Sequence, residues 1–329
     1  GRSEPQQMSA CDLQHSPCML QETLQLLDPQ PGETLIDMTC GLGGHAVAIL
    51  DKTADNGPAI LIDWDPAMLE AARQRLQQHL PRVQTFTSNF AELPQIMQQA
   101  GLQWADLAVL DAGVARPQLV DPERGFGFEG SRLDMRMSEQ VGPSAHEIIN
   151  TASESQLRQI LRLTQTPRES RAIASAISRA RSRQAIASSA ELAEIITEAT
   201  FRRKRPTRRQ PASAMLAFRI YVNRELDHLQ AGVEAMARAL RPGSGRMVVL
   251  TYHSLEFRIV RQTLEKLARG HDAPPWLPDP PDACPIIVSL LDKPLKPSQS
   301  EAPTCRSVRL FAARSIECEN RAVYGPGSQ

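Results

Sequence analysis

Three glycines crowd into four positions, Gly41, Gly43 and Gly44, directly after an apolar run that ends in Asp37 (LIDMTCGLGGHA, residues 35–46). Such a turn admits positive φ and brings backbone N–H groups close to a ligand, because no Cβ stands in the way. The pattern returns at AILIDWDP, where a second apolar run ends in Asp63. A carboxylate at a strand end can accept both hydroxyls of a ribose, so the chemistry is recognition of a nucleoside. Two ligand classes fit. The degenerate pattern G-x-G-x-x-G/A with an acid about twenty residues further on suits a nicotinamide dinucleotide. S-adenosylmethionine also presents a ribose, lacks a pyrophosphate and carries an amino-acid end, whose ammonium Asp37 can meet. The spacing does not choose between them.

The elements that must position these residues alternate. TLIDM, AILID, VQTFTSN and ADLAVLDAG read as strands, and GGHAVAILDK, DPAMLEAARQRLQQHL and ELPQIMQQAGL read as the helices between them. Alternation of this kind predicts a parallel sheet covered on both faces. In such sheets ligands sit beyond the carboxyl ends of the strands. From about residue 114 to 210 the strand signal fades and helical segments follow one another. A long amphipathic helix is expected from 213, then a strand at GRMVVLTYHS, a helix at LEFRIVRQTLEKLA and a last strand at SVRLFAARS. The simplest topology is one α/β domain (1–113 and 213–329) interrupted by a helical insertion (114–212). Nine prolines between 274 and 303 predict an extended loop there.

The 329 residues carry 37 basic and 37 acidic side chains, so the chain has no polyelectrolyte character as a whole. The distribution is uneven. Between 154 and 210 thirteen Arg or Lys face five Glu, and six of those cations fall within FRRKRPTRRQ, at Arg202, Arg203, Lys204, Arg205, Arg208 and Arg209. Contact with phosphates is the functional reading of that run; a solvated helix face is the plain one. No apolar run reaches the roughly 18 residues of a membrane span, and GRSEPQQMSA lacks the pattern of a secretory signal. The six cysteines form neither close metal-binding pairs nor a compact disulfide framework. No metal is expected, and a reducing cytoplasm is the natural location.

One stretch narrows the choice. VLDAGVARPQLVDPERGFGFEGSRLDMRMS, residues 109–138, resembles the signature of the ribosomal RNA small subunit methyltransferase H family. HSPCMLQE, DMTCGLGGHA, LIDWDP, FRIYVNREL, YHSLEFRIV and KPLKPSQSEAPTCRSVRLFAAR match the same family in the same order. The resemblance implies a class I S-adenosylmethionine-dependent methyltransferase, an α/β fold with a Rossmann-like, mostly parallel sheet and an inserted all-helical domain that recognises RNA. It implies methylation of the exocyclic N4 amine of a cytosine in 16S ribosomal RNA, with that RNA or the small ribosomal subunit as partner, acting as a monomer or homodimer.

Carried over by position, the cofactor contacts are Gly43, Gly44 and His45 in the turn, Asp63 on the ribose, Phe90 against the adenine, then Asp111 and Gln118. Asp111 is also the candidate catalytic residue, because a carboxylate at the end of the fourth strand can accept an amine hydrogen and aim the nitrogen. His253 is a candidate for the pocket wall. Ala115 and Arg116 stand where the family pattern has two small hydroxyl residues, and Phe257 stands where it has an acid. These departures keep open a reading as an RNA-binding assembly protein that retains the cofactor pocket.

Overall fold

The structure, a computed structural model, describes residues 16–53, 56–139, 142–200, 209–274 and 276–317. The described chain divides into two compact units. One comprises residues 1–113 and 226–329, the other residues 114–225.

The first unit is built on a seven-stranded sheet: β1 (Leu35–Asp37), β2 (Ala59–Asp63), β3 (Val83–Thr87), β4 (Leu107–Asp111), β5 (Arg246–Thr251), β6 (Ile287–Ser289) and β7 (Arg309–Ser315). Their spatial order is β3-β2-β1-β4-β5-β7-β6. The first five strands run parallel, whereas β7 is antiparallel to both β5 and β6. Central strands buried on both faces explain why their sequences read as continuous apolar runs rather than as alternation. The alternation survives inside the core. Ile36, Ile60, Ile62, Leu110 and Val249 pack on one face, and Leu35, Leu61, Leu107, Val109 and Val248 on the other. The second face is covered by α1 (Leu20–Leu27), α2 (Gly44–Leu50) and α3 (Pro66–Arg75). The first is covered by α4 (Leu93–Gln99), α11 (Glu225–Ala239) and α12 (Ser254–Arg269). The sheet is Rossmann-like and mostly parallel, as the strand–helix alternation predicts.

The second unit is helical: α5 (Arg116–Val120), α6 (Ala145–Thr151), α7 (Glu154–Leu161), α8 (Pro167–Arg181), α9 (Ser189–Thr200) and α10 (Arg209–Asn223). Ser144, Ser153 and Thr166 start α6, α7 and α8, each with a side-chain oxygen accepting an N–H of the first turn. Leu157, Ile173, Ile177, Leu192, Ile196 and Phe218 are among the side chains of its own core.

Three sequence expectations need correction. The long helix expected from 213 breaks at Arg224, whose φ is +49°. Residues 213–225 accordingly belong to the helical unit, where Ala214, Met215 and Phe218 are buried. The proline-rich stretch is not wholly loop, because the apolar IVS at 287–289 pairs with β7 in register Ile287↔Ser315. The cysteines also pair: Cys18 forms a disulfide with Cys305, 287 residues away, and Cys284 is disulfide-bonded too. A partner that distant leaves no trace in local spacing.

Candidate active site

Asp37, Asp63 and Asp111 are the last residues of β1, β2 and β4. These strands are neighbours in the order β2-β1-β4, so three carboxylates gather at one end of the sheet. The chain leaves β1 toward β2 on one side and reaches β4 on the other, which makes this the point where strand order reverses and ligands bind.

The glycine turn closes over that end. Gly41 and Gly43 have φ of +50° and +75°, values that require glycine or strain. A side chain at Gly43 would press on Ala72 and Leu76 of the α3 region, whereas nothing lies within 4 Å of a Cβ at Gly41. The turn is therefore packed behind Gly43 and open above Gly41. Gly41 N donates to Asp63 Oδ2 at 2.7 Å, and Asp65 N donates to Asp63 Oδ1 at 2.9 Å. A carboxylate has about four lone-pair sites, and the backbone N–H groups of Gly41, Asp65 and Trp64 do not use them all. Burial raises the Asp63 carboxyl from its ordinary 3.8 to about 6 against these backbone bonds.

Asp37 is 1% exposed. Burial lifts its carboxyl to about 7; His45 and the Thr39 N–H pull it down, while Asp111 and Asp63 push it further up. His45 is buried, and neither ring nitrogen has a hydrogen bond among the described residues. Its Nε2 stands 3.5 Å from Asp111 Oδ2. An unmet buried imidazole beside two carboxylates and an open glycine turn is the polar lining a nucleoside with an amino-acid end would meet. Cys40, in the same turn, is buried and its thiol is pushed well above its ordinary value by burial and by Asp37 and Asp63, so it is no nucleophile.

Asp111 is held on several sides. Its N–H donates to Thr39 Oγ1 at 2.6 Å, Oδ1 accepts from Gly113 N at 3.1 Å, and the Tyr252 hydroxyl hydrogen-bonds the carboxylate. Burial and the Asp111 charge raise the Tyr252 phenol, so it stays protonated and donates. Gly113 must be glycine here, since a Cβ would come within 2.6 Å of the Tyr252 ring.

Other expected residues have different settings. Phe90 packs against Gly232 of α11, whose missing side chain makes room for the ring. Beside it, Asn89 Nδ2 lies 2.7 Å from His228 Nδ1, and His228 meets Trp64 edge-on at 5.0 Å. Gln118 lies in the helical unit, buried, with Oε1 accepting from Ala115 N at 3.0 Å. His253 caps α12, its Nδ1 accepting from Glu256 N at 3.4 Å while Glu256 accepts from Tyr252 N at 2.7 Å. Phe257 faces the core and Phe311, at 5.3 Å between ring centres. Of the basic run, Arg202, Arg203, Lys204, Arg205 and Arg208 lie outside the described residues, and Arg209 is the first residue of α10.

The LDMRM segment is architectural. Arg136 grips Asp134 through Nε and Nη2 at 2.7 and 2.9 Å. Partial burial acts the other way, but this grip holds the Asp134 carboxyl below its ordinary value. Met135 is buried with φ +60°, and Asn223 clasps it by accepting from Met137 N and donating to Met135 O. Tyr252, Thr39, Asn89, Trp64 and His228 escaped the sequence reading. Only Trp64, directly after Asp63, offered a positional hint.

Residues 12–316 match the MraW methylase family. Relatives named ribosomal RNA small subunit methyltransferase H include one from Syntrophotalea carbinolica, 38% identical over 92% of this chain and 98% of its own. Another, from Natranaerobius thermophilus, is 36% identical over 93% of this chain and 99% of its own. Among solved structures, a SAM-dependent O-methyltransferase from Thermotoga maritima aligns with 95% of this chain and 68% of its own, at 9% identity and a TM-score of 0.40.

Proposed function

The chain belongs to the MraW methylase family, and from that premise we propose that it methylates the exocyclic N4 amine of a cytosine in 16S ribosomal RNA. It is an rRNA methyltransferase and its cofactor is S-adenosylmethionine. The nicotinamide reading falls away with the family match. The observation that carries the finer reading is the Asp37–Asp63–Asp111 triad of strand-end carboxylates around an open glycine turn.

S-adenosylmethionine, when bound, supplies a methyl group already activated as a sulfonium, so no covalent enzyme intermediate is needed. The chain's work is to position and to polarise. Asp63 takes the ribose hydroxyls on the accepting capacity that its backbone donors leave free. Asp37, ionised, takes the ammonium, and His45 supplies the unmet ring nitrogens beside it. The N4 amine of cytosine is a weak nucleophile because its lone pair is delocalised into the ring. Asp111 accepts one amine hydrogen, which localises that lone pair and aims it; Thr39, Gly113 and Tyr252 fix the carboxylate that does so.

A base within folded RNA must first be swung out, at about a few kcal/mol of lost stacking. The basic run at 202–209 and the helical unit are where we assign the backbone contacts that offset this cost. Phe257, turned into the core, gives no ground for reading the chain as inactive. Among the described residues no helix is long and apolar enough to cross a membrane, and the proposed substrate places the protein in the cytoplasm. Nucleoside mass spectrometry of small-subunit RNA from a strain lacking the protein tests the reading: N4-methylcytidine should disappear and return with the wild-type gene. A strain that keeps the modification in full would refute it.

A further inference from the structure

Between α7 and α8 lies a shallow depression of about 310 Å³, lined by Arg158, Gln159, Arg162, Pro167 and Arg171. The two helices pack through Leu157, Ile160 and Leu161 on one side and Ile173, Ala174 and Ile177 on the other. Their outward faces supply the three guanidinium groups. Arg158 and Arg162 are one turn apart at the end of α7, and Arg171 comes from the second turn of α8.

Several arginines elsewhere in this unit have structural partners, while Arg168 and Arg183 have no side-chain partner among the described residues and do not line the depression. Arg181 donates to Ile149 O at 2.7 Å, Arg179 to Ser175 Oγ at 2.8 Å, and Arg124 to the Arg136 and Met137 carbonyls. Arg136 holds Asp134, and Arg219 holds Glu225. Arg158, Arg162 and Arg171 have no side-chain hydrogen bond or ion pair among the described residues. The acid nearest in sequence to Arg171, Glu169, is tied to Thr166 Oγ1 at 2.6 Å. Like charges one helical turn apart repel each other, so the fold gains nothing from this grouping. A fork of N–H donors on each side chain matches the oxygens of a phosphodiester, which a point charge matches less well.

We propose that this depression docks the phosphate backbone of RNA, with Arg158 and Arg162 on one side and Arg171 on the other. The proposal rests on ribosomal RNA being the substrate, and it assigns contacts separate from the basic run at 202–209. Each phosphate neutralised releases condensed counterions, so each contact adds to the salt dependence of binding.

The test measures affinity for a small-subunit RNA transcript against salt for the wild type and for the triple variant Arg158→Gln, Arg162→Gln, Arg171→Gln. Three lost contacts should flatten the slope of log affinity against log salt by about 2, at about 0.7 per contact on single strands. The triple variant should bind RNA at least tenfold more weakly at low salt and bind S-adenosylmethionine as the wild type does. The matching Lys triple keeps the charges and should keep most of the slope. An equal charge change at Arg73, Arg261 and Arg306, in the other unit, should leave the slope in place. A wild type without salt-dependent RNA affinity would overturn the function reading and this proposal together. A wild type that binds RNA, with a triple-Gln line superimposed on it, would overturn this proposal alone.

Discussion

The N–H of Gly41 donates to Asp63 Oδ2 at 2.7 Å, so the second strand's carboxylate holds the first strand's turn before any ligand arrives. Asp63 therefore clasps the turn, and the proposed function gives it a second task as acceptor for the ribose.

Replacing Asp63 separates the two. Asp63→Ala should weaken S-adenosylmethionine binding by roughly 1.5–3 kcal/mol, as for hydrogen bonds to a charged group. Asp63→Asn keeps one acceptor oxygen and should lose less. Calorimetry on both variants, with urea midpoints to follow the turn, checks this; unchanged affinity in a folded Asp63→Ala protein would remove Asp63 from the site.

Asp37 should make cofactor binding depend on pH. Its carboxyl, raised from 3.8 to about 7, keeps a proton in the folded chain that the unfolded chain releases. Stability from this group is complete below about pH 4 and declines as pH rises toward 7. Binding of an ammonium needs the ionised form, so affinity should rise with pH up to about 7, by at most about tenfold per unit. Asp37→Asn should flatten both trends and leave a smaller one below about pH 6 from Asp63. Titrations at several pH values settle it: identical profiles for the two proteins would exclude Asp37 from the ammonium.

Asp111→Asn tests the chemistry apart from binding. The amide keeps the shape and removes the charge and half the accepting capacity. Methyl transfer at saturating cofactor should drop at least tenfold, about 1.4 kcal/mol of barrier. If extra cofactor restores the full rate, Asp111 only binds. Tyr252→Phe removes one support of the carboxylate and should lower the rate less.

The Cys18–Cys305 disulfide closes a very long loop. A Cys18→Ser, Cys305→Ser variant should be about 2–4 kcal/mol less stable than the oxidised wild type. Denaturant midpoints measured without reductant would show it. Equal midpoints would mean that packing alone holds the two segments.

The sheet could be read from sequence because its central strands are buried on both faces and end in acids, so period and punctuation coincide. Asp37, Asp63 and Asp111 stood out for that reason. Tyr252 and Thr39 did not, because their importance is a contact with Asp111 across strands, and no local pattern records that. Strand β6 hid within a proline-rich stretch, since three residues are too short to show a period. The break at Arg224 falls in a run with good helical spacing throughout and is visible only as a left-handed residue. His253 drew attention as a lone histidine near the site, and its setting as the cap of α12 was not legible in the sequence.

The clasp between Cys18 and Cys305 also bears on how the protein resists traction. It turns residues 18–305 into a covalent ring that contains six of the seven strands whole and every helix of the second unit. A motor that draws in the chain from beyond residue 305 meets this crosslink once β7's stretch of the sheet is unravelled. To go further it must thread two strands at once or wait for the sulfurs to be reduced. The thiol state of the surroundings thus sets how readily the folded enzyme can be dismantled, while the strand-end carboxylates remain untouched.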